Sequence, residues 1–145
     1  MEDDSSIFAM IIQGEIPCHK VYEDDLIFAF LDINPSSPGH TLVVPKEPAR
    51  TLDELSDGSA QAIGRALPRI SKAVLEATGA SEFNVIQNNG PNAFQSVFNV
   101  HFHIIPKMDD GRGLSFPFNP SPIDHEDGAR LSSSIRDLLS RPPSQ

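Results

Sequence analysis

The stretch that decides the fold is Gln95-Ser96-Val97-Phe98-Asn99-Val100-His101-Phe102-His103-Ile104-Ile105. Side chains alternate between faces along a strand. An extended Val97–Ile105 therefore puts Val100, Phe102 and Ile104 on one apolar face and Asn99, His101 and His103 on the other. Two imidazoles and an amide on a buried strand are costly unless something partners or uses them. Three readings are open. The polar groups satisfy one another and do nothing more. Or His-x-His joins a remote histidine such as His40 in a three-imidazole zinc site. Or a neutral imidazole attacks an electrophile while a second group protonates the leaving group.

Outward from this strand the chain reads as short elements joined by stiff turns. Ile7, Phe8, Ile11 and Ile12 space as one helix face, with Ser5 or Ser6 as N-cap and Gly14 as the stop. His19–Tyr22 and Leu26–Leu31 read as strands around Glu23-Asp24-Asp25, and Thr41–Val44 as a third. Residues 52–79 carry the longest helical signal, with Ala62, Ala66, Ile70, Ala73, Val74 and Ala77 in period and Gly79 as cap. Pro68 inside this run predicts a kink or two shorter helices. Phe83–Gln87 is another strand. Residues 126–140 suit a terminal helix with Leu131, Ile135, Leu138 and Leu139 on one side. The order predicts an α+β domain with a mostly antiparallel sheet, one long helix and short flanking helices. Residues 1–5 read as a polar tail, 6–107 as the domain core and 108–145 as an extension packed on the same domain.

Composition bounds the function. The 145 residues suit one domain, and 39% hydrophobic against 21% charged residues permits a packed core. A net charge of −9 without a basic stripe disfavours nucleic acid. Screening beyond about 10 Å leaves small anionic ligands open. Cys18 is the only cysteine, so neither a disulfide framework nor a cysteine-rich zinc site is available. The acidic MEDDSS start is unlike a secretory signal, and no apolar run spans a bilayer, so the expectation is a cytoplasmic or nuclear protein with no membrane partner.

Six segments carry a resemblance: Ser6–Pro17, Val21–Asp25, Ala29–Pro35, Pro38–Lys46, Val85–Gly90 and Gln95–Lys107. In order and spacing they resemble the Hint branch of the histidine-triad (HIT) superfamily, the histidine-triad nucleotide-binding proteins. The resemblance implies a sheet extended across a two-fold homodimer, and a purine nucleotide-binding hydrolase or transferase acting on phosphoramidates or acyl-adenylates. His101 would attack the α-phosphorus and form a nucleotidyl-histidine, without metal or other cofactor. His103 would assist at the phosphate or leaving group, and His40 would support the triad. Asp32 would hold the ribose, unless it simply caps the turn before Asn34-Pro35. Phe8, Ile11, Phe30 and Ile33 would sandwich the base, unless they are ordinary core. Asn88, Gln95 and Ser96 would surround the phosphate, unless they are ordinary loop residues.

Two positions depart from that pattern. Asn99 stands where the first triad histidine is found, yet a main-chain carbonyl there would still orient His101. Phe94 stands where glycine is usual, so its ring either swings outward or narrows the leaving-group side of the pocket. Ser6 and Ala9 occupy the places of a Cys-x-x-Cys that contributes to zinc binding in some relatives. A nucleotide-binding regulator with little turnover, or a pocket repurposed for a non-nucleotide small molecule, fits the same residues.

Overall fold

In a computed structural model, which describes residues 5–116 and 118–142, the chain forms two compact units divided between Ser115 and Phe116. The first is α+β. Its strands are β1 (Lys20–Glu23), β2 (Ile27–Leu31), β3 (Thr41–Pro45), β4 (Glu82–Gln87) and β5 (Phe102–Lys107). They form one antiparallel sheet in the order β1-β2-β3-β5-β4. The helices are α1 (Ser5–Ile12) and α2 (Asp57–Thr78).

The central strands read as continuous apolar runs, IFAFL and TLVVP, because both of their faces are covered. Ile27, Ala29, Val43 and Ile104 face α2, where Ala62, Ile63, Ala66, Ile70 and Val74 return the contact. The alternate residues Phe28, Phe30, Leu42 and Val44 pack with Phe8, Ile11 and Ile12 of α1 on the other face. Register then places the chemistry: Leu42 lies opposite both Phe30 and His103, so His103 opens onto the α1 side.

Several expectations need correction. The histidine strand begins at Phe102 rather than Val97, so Asn99 and His101 sit in the irregular segment leading into it. Pro68 lies inside one continuous helix and does not split it. The proline removes one backbone donor, and Gly64, the residue whose carbonyl loses that donor, has open space where a Cβ would stand. Ser5 and Ser6 fall within α1, and residues 1–4 of the expected tail lie outside the described residues. The first unit extends to Ser115, and within it Lys107 donates to the carbonyls of Gly111 and Leu114 while Met108 closes a turn with Arg112.

Other signals hold. Gly14 and Gly79 both take positive φ, and the Gly79 N–H bonds the Leu75 carbonyl. In the second unit the expected helix is α3 (His125–Leu139), capped by Asp124, with Leu131, Ile135, Leu138 and Leu139 exposed. No helix among the described residues is long and apolar enough to cross a membrane.

Candidate active site

A cleft of about 480 Å³ opens between α1 and the sheet. Phe8, Ile11, Phe30, Leu42 and Val97 give it apolar walls, and Asp32, Ser96, His101 and His103 supply polar atoms. Ile33 stands at its rim, 80% exposed. Phe8 and Phe30 are both buried and meet edge to face at 5.9 Å, making a rigid apolar wall.

Hydrogen bonds fix where the protons lie. His101 Nδ1 is 2.7 Å from the main-chain oxygen of Asn99. A carbonyl only accepts, so Nδ1 carries the proton and Nε2 keeps a free lone pair. The Ser36 N–H donates to His40 Nδ1 at 3.0 Å. His40 therefore carries its proton on Nε2, which lies 2.9 Å from His103 Nδ1. His103 must accept there, which leaves its own proton on Nε2. One ring thus offers a lone pair, and its neighbour, 4.9 Å away between centroids, offers an N–H.

All three rings favour neutrality. Burial lowers the pKa of His101, opposed by the Asn99 carbonyl and by Asp32. Burial lowers His40, again opposed by Asp32. Burial, then the neighbouring imidazoles His101 and His40, bring His103 down to about 4. A base held neutral by the fold leaves the unfolded chain binding more protons below its ordinary pKa near 6.5. Stability from these rings is present above that value and is lost as pH falls from about 6.5 toward 4. The melting temperature is expected to drop across that window. Any activity that needs neutral His101 should stay level down through pH 6.5 and fall only below it. A kinetic acid limb centred at or above 6.5 would contradict this account.

Asp32, His40 and His103 offer ligand atoms within 4.8 Å of one another, a spacing that suits a metal ion. Their chemistry fits a hydrogen-bond chain better. With the Ser36 amide aimed at Nδ1, His40 binds a cation through Nε2 only as an imidazolate.

The remaining sequence candidates separate. Asn99 is buried, and its side chain turns away from the cleft: Oδ1 accepts the Ala49 N–H at 3.2 Å while the Val100 N–H bonds the Ala49 carbonyl at 2.9 Å. Its contribution to His101 is the peptide carbonyl alone. Gln95 is also structural. Its Oε1 accepts the Gly90 N–H and its Nε2 donates to the carbonyls of Arg50 and Val97, so no donor is left for a phosphate. Asn88 donates to the Phe94 carbonyl and lies outside the cleft wall. Ser96 does line the cleft. Leu42, Val97 and the Ser36 amide were missed; only strand register and loop path reveal them.

Phe94 swings outward, 85% exposed, and leaves the cleft unobstructed. It is the one described non-glycine residue at positive φ, 70°. Phe94→Gly removes that strain and no packing, so it should raise stability by about 1 kcal/mol in thermal or urea unfolding. A loss of stability would mean that the ring has a partner.

The chain is similar in sequence and fold to known proteins. A HIT domain model matches residues 13–110. Adenosine 5′-monophosphoramidase hnt1 of Schizosaccharomyces pombe is 47% identical over 136 residues, covering 91% of this chain and 99% of that protein. The crystal structure of a HIT family member from Bacillus subtilis is similar with a TM-score of 0.86 and 39% identity, over 96% of this chain and 98% of that one. A histidine triad nucleotide-binding protein from Candida albicans gives a TM-score of 0.84 at 34% identity, over 92% and 96%.

Proposed function

The chain belongs to the HIT domain family, and from that premise we propose that it cleaves purine nucleoside 5′-phosphoramidates or acyl-adenylates at the α-phosphorus. The observation that carries this reading is the pair of fixed tautomers: a bare Nε2 on His101 beside an N–H on His103, at the end of an apolar slot.

In this reading the base lies against Phe8, Ile11, Phe30 and Ile33, and the ribose hydroxyls reach Asp32. His101 Nε2 attacks phosphorus while the bond to the leaving group breaks, giving a nucleotidyl-histidine; a carboxylate departs as the anion, and an amine departs neutral with a proton taken up from solvent, which the attacking water later returns. As the ring becomes cationic, the Asn99 carbonyl and the Asp32 carboxylate stabilise it. The His103 N–H and the Ser96 hydroxyl stabilise negative charge on the phosphoryl oxygens or the leaving group. Water then attacks phosphorus, the P–N bond to His101 breaks and the nucleoside monophosphate departs.

The test is release of adenosine monophosphate from adenosine 5′-phosphoramidate, with retention of configuration when phosphorus is made chiral. Inversion would exclude the covalent step. Tight nucleotide binding without release would favour a regulatory protein, and neither outcome would favour a repurposed pocket.

We also propose a homodimer through β4. That strand is an edge of the sheet, Phe83 and Val85 on it are exposed, and Leu67, Pro68 and Leu75 of α2 continue the apolar surface beside it. Sedimentation as a monomer at micromolar concentration would remove this proposal. The single cysteine fits a reducing compartment, so the cytoplasm or nucleus is proposed as its location, to be checked by cell fractionation.

A further inference from the structure

Asp32 divides its carboxylate between two tasks. Oδ1 accepts the Asn34 N–H at 2.8 Å, which caps the turn. Oδ2 stands 3.5 Å from His40 Nε2, the same nitrogen that reaches His103 Nδ1 at 2.9 Å. His40 has only one proton on that nitrogen, because Nδ1 is occupied as an acceptor by the Ser36 amide. That one N–H bonds the nearer neutral ring, and the anion lies farther off, in charge contact with the same nitrogen.

Asp32 also lines the cleft beside His101 and His103, and its side chain retains 20% exposure, so a bound molecule can reach it. A hydroxyl that donates to Oδ2 weakens that oxygen as an acceptor, because a carboxylate shared among donors offers less charge to each. The pull of the anion on the His40 N–H then weakens, and the existing bond to His103 Nδ1 strengthens. His103 is thereby held in one orientation, with its Nε2–H fixed as the outward donor.

We propose that Asp32 is a positioning residue as well as a sugar-binding one: vicinal hydroxyls on the ligand, by engaging its carboxylate, tighten the existing His40–His103 bond and so steady the proton donor at the phosphate. The proposal rests on the nucleotide reading given above and extends it. The ligand class is a nucleoside phosphate bearing free 2′- and 3′-hydroxyls. Discrimination against a sugar without them is expressed in the chemical step and not only in affinity.

The experiment compares adenosine 5′-phosphoramidate with its 2′,3′-dideoxy counterpart on the full chain. For the unaltered protein, kcat is expected to fall about 10-fold or more with the dideoxy compound, part of the range typical of acid–base assistance. Asp32→Ala should lower kcat for the ribose compound and erase the difference in kcat between the two. Asp32→Asn keeps an oxygen to cap the Asn34 amide and serves if the alanine variant does not fold. An NMR readout is independent of turnover. The His40 Nε2 proton resonance should shift when adenosine monophosphate is added, and stay in place with 2′,3′-dideoxyadenosine monophosphate at equal occupancy. If the dideoxy compound raises KM with kcat unchanged, the hydroxyls contribute uniform binding and the coupling is overturned, while the nucleotide reading stands. If neither compound is cleaved or bound, the nucleotide reading falls and takes the coupling with it.

Discussion

Replacing His101 by alanine is expected to reduce release of adenosine monophosphate by roughly 10⁴-fold or more, the scale on which loss of a covalent nucleophile is felt. The reason is specific to the tautomers. His103 Nδ1 accepts from His40, and His103 Nε2 carries a proton; His40 is likewise engaged at both nitrogens. Among the three clustered rings only His101 presents an unshared lone pair, so no neighbour substitutes for it. Nucleotide affinity should change far less, because Phe8, Phe30, Asp32 and Leu42 remain in the cleft wall. The variant loses the edge contact with Phe8 at 5.2 Å and leaves the Asn99 carbonyl without the ring it served, at a stability cost of about 1–3 kcal/mol. Protein that is folded, binds nucleotide and is inert would support the assignment. A variant retaining a tenth of the activity would sink it.

Gly39→Ala is expected to be severely damaging for a single added methyl. Gly39 has φ +86°, and a Cβ there would lie 2.6 Å from Thr78 Cγ2, with Val74 and Pro106 within 3.5 Å. Thr78 cannot easily rotate away, since its hydroxyl bonds the Val74 carbonyl at 2.8 Å. The loop is pinned on its other side as well, where Ser37 Oγ donates to the Pro106 carbonyl at 2.6 Å. Left-handed strain of about 1–2 kcal/mol adds to an overpacking cost of similar size, for about 3 kcal/mol in all. In a chain of this length that lowers the melting temperature by roughly 10 °C. Gly14→Ala is the matched control. It has φ +85° but nothing within 4 Å of the added carbon, so it should cost only about 1 kcal/mol. Equal losses at the two sites would show that strain alone, and not the crowding by Thr78, governs position 39.

Much of this was legible in the residues. The apolar runs named the strands, the period in 62–77 named α2, and Gly79 ended it as expected. The HIT resemblance was confirmed over residues 13–110. What failed did so for local reasons. Alternation in 97–105 looked like a strand from its first residue, yet the chain there runs irregularly because Asn99 and Val100 bond the Ala49 peptide instead of a neighbouring strand. Of the kink or two shorter helices that Pro68 predicts, the division does not occur: the packing of α2 on the sheet, through residues on both sides of it, outweighs one lost hydrogen bond. Gln95 carried a binding role in the sequence pattern that its three committed hydrogen bonds leave no room for. The direction of a polar side chain in a loop depends on which distant backbone groups need partners, and no local pattern encodes that.

The buried amide of residue 99, turned from the cleft toward Ala49, has a bearing on how such chains are recognised and diversify. What His101 requires from that position is a peptide oxygen, which every amino acid supplies. The side chain answers to a different constraint, the unmet amide of Ala49. In the proposed reaction, substitution there is free to drift under structural selection, and a signature insisting on three imidazoles would pass over a chain such as this one.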